Sequence, residues 1–122
     1  MGAARPALLP AGERGSLRVS DRVIAKIAAQ AAGEVLVESP GAELVPKDAT
    51  PHASVAVRRN HARLRLTLEL GYPVDIGAVC GRVRRHVTSR VEALTGMVVP
   101  EVAVEVERLH TAAGRRDEVR VQ

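Results

Sequence analysis

Leu64, Leu66, Leu68 and Leu70 fill every second position of one stretch, with Arg63, Arg65, Thr67 and Glu69 between them. A period of two predicts a strand buried on one face and solvated on the other. Val55 and Val57 alternate in the same way just upstream. A two-residue turn at Asn60-His61 joins the two runs into a hairpin, since Asn tolerates the positive φ such turns need. That register sets Val57 opposite Leu64, Val55 opposite Leu66 and Ser54 opposite Thr67. It also opposes Arg58 to Arg63, a mildly unfavourable like-charged pair. A shift of one residue would ruin both faces.

The period changes after Gly71-Tyr72-Pro73, which reads as a strand-to-helix connection. From Asp75 onward, Ile76, Val79, Cys80, Val83, Val87, Val91 and Leu94 form one helical stripe. Arg82, Arg85, His86 and Ser89 fall opposite, with Arg84 and Arg90 at the margins and Glu92 as the nearest carboxylate. Gly77 and Gly81 lie inside the helix, where they suit close helix packing. Gly96 suits the position just past the helix end. Val102, Val104 and Val106 then alternate with Glu101, Ala103, Glu105 and Glu107, predicting a half-buried strand. If it joins the hairpin's sheet, Glu105 and Glu107 share a face with Arg63 and Arg65.

Upstream, Gly15–Val19 alternates as a short strand. Ser20 suits a helix N-cap and Asp21 the positive helix end. Val23, Ile24, Ile27, Ala28, Ala31 and Val35 form an alanine-rich stripe that lets this first helix lie close to a sheet. Val35-Leu36-Val37 is a candidate extra short strand. Ser39-Pro40-Gly41 signals a turn, and Pro46–Pro51 a loop. The prediction is therefore an α+β domain with two helices on one face of a mostly antiparallel sheet of about four strands, in the order β-α-β-β-α-β. Residues 15–110 form this single domain, residues 1–14 a disordered N-terminal arm, and residues 111–122 a flexible C-terminal tail.

The composition narrows what such a domain can do. The 122 residues are 46% hydrophobic, yet they include no Trp or Phe, and Tyr72 is the only aromatic residue. Sites that stack bases or sugar rings are nearly excluded. A single cysteine, Cys80, rules out an internal disulfide and fits a reducing cytosol. No apolar run reaches the roughly 18 residues of a membrane span. The N-terminal apolar patch is cut by prolines and too short for a signal h-region. The Met-Gly start has Pro6 where a myristoylation motif wants Ser or Thr.

Of the formal charge of +4, residues 1–14 and 114–122 each carry a net +1, leaving +2 on residues 15–113. That is weak for a dedicated nucleic-acid binder, which neutralises many phosphates. His52, His61, His86 and His110 show no metal-ligand spacing among themselves or to Cys80. His61 reads as a turn residue and His86 as a solvated helix position. Cys80 on the helix stripe reads as a small buried hydrophobe. No paired acid and base, cofactor motif or catalytic set stands out. The arginines carry the strongest functional signal. Arg63 and Arg65 on the sheet, and Arg82, Arg85 and Arg90 on the second helix, are the candidate contacts for a partner or an anion.

Three ordered blocks carry a resemblance. They are Gly15-x-Leu17-x-Val19-Ser20 with Val23-Ile24, Ile27-Ala28 and Ala31; Leu66-x-Leu68-x-Leu70-Gly71-Tyr72-Pro73-Val74-x-Ile76; and Val87, Val91, Leu94-Thr95-Gly96-Met97 with Val102-x-Val104-x-Val106. The ordered set resembles the bacterial alkaline shock protein family, also called envelope stress response proteins, over about Gly15 to Leu109. Ala42 stands where a larger aliphatic is common in the family, and the tail is short. The resemblance implies a non-enzymatic, self-associating cytoplasmic scaffold near the inner face of the cell membrane. It implies placement there, often through a membrane-anchored partner, support of envelope homeostasis, and no catalytic residue; the residues themselves lead to the expectation of no cofactor and no metal. The alternative is a small nucleic-acid-binding module using the arginines of the sheet and second helix.

Overall fold

The computed structural model describes residues 19–113. Helix α1 spans Asp21–Leu36, a short 3-10 turn Ala42–Leu44, strand β1 His52–Arg58, strand β2 His61–Gly71, helix α2 Ile76–Thr95, and strand β3 Val98–His110. The three strands form one sheet in the order β1-β2-β3. β1 runs antiparallel to β2, and β3 runs parallel to it.

The α+β class and the two helices match the sequence expectation; the described residues supply three strands, in the chain order α-β-β-α-β. The expected first strand, Gly15–Val19, lies outside the described residues except for Val19, which enters α1 without regular structure. Val35-Leu36-Val37 forms no strand, because α1 continues through Leu36. Its last carbonyls find partners there: Val37 N–H donates to Gly33 O at 3.0 Å, and Ser39 Oγ donates to Val35 O at 2.9 Å. The sheet is mixed rather than mostly antiparallel, and helix length is the reason. The 20 residues of α2 span about 30 Å. They return the chain along the length of β2, so β3 starts where β2 starts. Val98 N–H donates to Asn60 O at 2.9 Å, and Tyr72 N–H donates to His110 O at 2.9 Å at the far end.

Ser20 and Gly96 cap their helices as read, and Asp75, read only as the start of the second helix, is its N-cap. Ser20 Oγ accepts from Val23 N–H, and Asp75 Oδ1 accepts from Ala78 N–H at 3.0 Å. Gly96 ends α2 with φ 74. The hairpin keeps its faces but shifts by two residues. Its turn is Arg59-Asn60, with Arg59 at φ 57, so Arg58 pairs with His61, Val57 with Ala62 and Val55 with Leu64. Asn60 is held by β3 and by Gly96, whose carbonyl accepts from Asn60 Nδ2 at 3.5 Å. His61 consequently opens β2 instead of sitting in the turn. A two-residue shift preserves parity, so Leu64, Leu66, Leu68 and Leu70 still face inward.

The core is aliphatic. Ile24, Ala28, Ala31 and Ala32 of α1 and Val79, Val83, Val87 and Val91 of α2 pack on the leucines of β2 and on Val99 and Val102 of β3. Two stripe residues depart from expectation: Val23 and Leu94 are about half exposed, at the margins of their helices. Gly77 is exposed, and a Cβ at Gly81 would meet only arginine side chains, so neither glycine mediates close helix packing.

Candidate functional site

The arginines singled out in the sequence divide between two surfaces. Arg63 and Arg65 stand on the face of the sheet turned away from the helices, alternating with the buried leucines. Arg63 lies between Ala56 of β1 and Glu101 of β3, and its Nη1 donates to Glu101 Oε1 at 3.0 Å. The expected Arg58–Arg63 opposition is thereby absent, and Glu101, not Glu105 or Glu107, neutralises this arginine. Glu105 pairs in register with Thr67, while Glu107 falls at a register shift. Arg65 lies between Ser54 and Ala103. Among the described residues no carboxylate reaches it within 4.0 Å.

The helix arginines meet more carboxylate than the sequence suggested. Arg82, Arg85 and His86 line a shallow groove with Glu34, Val35 and Glu38 from the end of α1. His86 Nε2 and Glu34 Oε1 are 2.6 Å apart, so His86 is a paired residue rather than a merely solvated one. The His86 hydrogen bond holds the Glu34 carboxyl below its ordinary value, with a smaller contribution from the Arg90 charge. Arg82 Nη2 donates to Ser39 Oγ at 3.4 Å. Glu92 is engaged elsewhere: its Oε2 accepts from Val99 N–H at 2.9 Å, fixing the start of β3. Sheet and helix arginines therefore do not converge into one basic face.

A third feature, a cleft of about 1050 Å³, lies where β2 and β3 end. Leu36, Leu44, Val45 and Leu70 give it apolar walls, while Arg108 and His110 edge it. Here Ser39-Pro40-Gly41 and Gly71-Tyr72-Pro73 come together, with the Gly41 and Gly71 backbones in direct contact. Beyond the register shift at Leu68/Glu69, His110 Nε2 lies 2.6 Å from Glu69 Oε1, clipping β3 to β2. Nothing local signalled this clip, since Glu69 read as an outer-face residue and His110 only as a histidine without metal-ligand spacing. The two motifs were the available pointer to the cleft.

Cys80 is buried on the α2 stripe, and burial pushes its thiol up from its ordinary value. That is the reverse of what activates a nucleophile. Among the described residues no group of three or more His, Cys, Asp or Glu is placed to hold a metal ion. No helix among them is long and apolar enough to cross a membrane.

The residue blocks that suggested a family lie where they matter in this fold: a capped α1, the Gly71 crossing at the end of β2, and the α2–Gly96–β3 passage. The chain matches the alkaline shock protein 23 family, described as having a cell envelope-related function, over residues 10–111. The chain belongs to this family. No curated protein and no solved structure matches it. For a member of the alkaline shock protein family, the arginine surfaces, the strand-end cleft and the sheet edges left unpaired among the described residues are the surfaces at which an envelope-related role is to be sought.

Proposed function

We propose that this alkaline shock family member is a non-enzymatic scaffold. It self-associates and docks at the inner face of the cell membrane through a membrane-anchored protein, and so supports envelope homeostasis. Family membership supplies the envelope-related setting. The observation that carries the mechanism is the form of the sheet. Its inner face is filled by two helices, while its outer face and the far edges of β1 and β3 have no partner among the described residues. An open face and free backbone edges are surfaces on which proteins assemble. Arg65 on that face, and Arg82 and Arg85 in the helix groove, are the proposed contacts for the anchored partner.

The test combines size and location. Purified full-length chain is sized by light scattering over a concentration series, and a tagged chain is followed through membrane and soluble fractions of cells. The expected result is an oligomer in solution, a membrane-associated fraction in cells, and sensitivity to envelope-damaging agents when the gene is deleted. Replacing Arg82 and Arg85 by Glu lowers the membrane fraction. A chain that is monomeric throughout, absent from membranes and dispensable under envelope damage overturns the reading.

A further inference from the structure

The two edges of the sheet differ in how they are guarded. Natural sheets block edge pairing with charges, proline and bulges. The β3 edge has all three: Glu101, Glu105 and Glu107, Pro100, and two register shifts against β2. The β1 edge has none between Ala53 and Val57. Its sequence there is Ala-Ser-Val-Ala-Val, without charge, proline or bulge. Every residue of β1 is half-buried or exposed, and Val57 remains 37% exposed at the end of its inner-face stripe.

We propose that β1 pairs antiparallel with β1 of a second copy, centred on Val55, joining two three-stranded sheets into one continuous sheet. This rests on the self-association reading above and names the surface it uses. The strand is complementary to itself in this register. Val55 faces Val55 of the second copy, and Ala53 faces Val57, so apolar meets apolar on the inner face. Ser54 faces Ala56 on the outer face, small on small. No acidic pair is opposed, and His52 faces Arg58 at the ends. A slip of two residues toward the N-terminus sets Val57 against Pro51, which has no N–H to give. The opposite slip sets Ala53 against the turn residue Arg59. A slip of one residue opposes inner to outer positions. The two-fold axis stands perpendicular to the sheet, so both helix layers lie on the same side. The contact is isologous and closes at two copies.

The register names its own test, because Ser54 and Ala56 oppose each other only across this axis. Both lie on the solvent face beside Arg65 and Arg63, where substitution leaves the core intact. Full-length wild type, S54E/A56E and S54E/A56K are compared by sedimentation over a concentration series, with circular dichroism to confirm folding. S54E/A56E places two pairs of glutamates opposite each other and weakens association about tenfold or more. S54E/A56K opposes glutamate to lysine and restores it. Amide exchange in β1 slows as wild-type concentration rises. A wild type that is monomeric throughout overturns both this proposal and the self-association reading. An oligomer unchanged by S54E/A56E overturns only the edge assignment. So does an S54E/A56K variant as weak as S54E/A56E. Concentration-independent protection of those β1 amides that are not bonded to β2 means the edge is covered within the chain, and this also overturns it.

Discussion

Gly41 and Gly71 meet backbone to backbone at the end of the sheet. A Cβ built on Gly71 would lie 2.6 Å from the carbonyl carbon of Gly41 and 2.8 Å from its Cα. A Cβ on Gly41 would lie 3.2 Å from the Cα of Gly71, and Gly41 also holds φ at 82. The crossing thus needs two glycines for different reasons, space at Gly71 and handedness at Gly41.

These reasons give an ordered prediction. Gly71→Ala forces backbone apart from backbone and costs about 3 kcal/mol or more, the upper end of overpacking effects. Gly41→Ala costs about 1–2 kcal/mol, chiefly from its left-handed conformation. Gly33→Ala in α1 meets nothing within 4 Å and stabilises by about 0.5–1 kcal/mol through lost chain entropy. Urea denaturation of the three variants checks the order, and a Gly71→Ala protein as stable as Gly33→Ala would refute the crossing.

This crossing marks the limit of what the sequence made legible. Local patterns placed both helices, the Ser20 N-cap, the hairpin faces and β3, because each follows from periodicity or capping within one segment. Gly41 and Gly71 lie thirty positions apart, and nothing local in either turn says that they touch. The two-residue hairpin shift was hidden for a similar reason. Asn60 is held by Val98 and Gly96, partners that come from a distant segment. The parallel direction of β3 depended on how far α2 carries the chain. The candidate arginines were legible as a sheet pair and a helix set but not in their partners, since Glu101 beside Arg63 and Ser39 beside Arg82 come from distant segments.

The aliphatic core predicts a sharp contrast between two leucines. Leu66 is fully buried at the centre of β2, whereas Leu94 is 50% exposed at the end of α2. Leu66→Ala removes buried methyl groups and leaves a cavity, costing about 2–5 kcal/mol. Leu94→Ala stays within about 0.5 kcal/mol of wild type, as surface changes usually do. Thermal melts distinguish the two, and equal effects would place Leu94 in an interface.

Cys80 gives a prediction at alkaline pH. Its folded thiol value is raised by burial, so the folded state holds the proton where the unfolded state releases it. Stability therefore falls as pH rises beyond the thiol's ordinary range, and Cys80→Ala flattens that fall. The same burial makes native Cys80 slow to react with a thiol reagent, with the rate rising sharply once the chain unfolds. Rapid labelling of the native chain would contradict the buried assignment.

Glu34 gives the opposite limb. Its folded value lies below the ordinary carboxyl value, first through the His86 hydrogen bond and then, opposed by slight desolvation, through Arg90. The pair's contribution is full above that ordinary value and is lost as pH falls through the folded one. Because Glu34 is exposed, the effect is a shallow slope. Glu34→Gln flattens the acid limb of melting temperature against pH, His86→Ala does nearly the same, and Arg90→Ala changes it less. Parallel acid limbs in wild type and Glu34→Gln would remove the pair from any account of stability.

Arg63 and Glu101 form a short ion pair, but both side chains remain more than half exposed, at 65% and 57%. Solvent screens such a pair, and the entropy cost of ordering two side chains offsets much of its attraction. A double-mutant cycle with Arg63→Ala and Glu101→Ala therefore gives a coupling of about 0.2–1 kcal/mol that shrinks with added salt. This small value makes Arg63 usable as a probe of assembly. Arg63→Ala and Arg65→Ala should leave the fold nearly as stable as wild type while altering whatever docks on the open face. If Arg63→Ala instead unfolds the chain, the pair is structural, and Arg65 becomes the remaining arginine with which to probe that face.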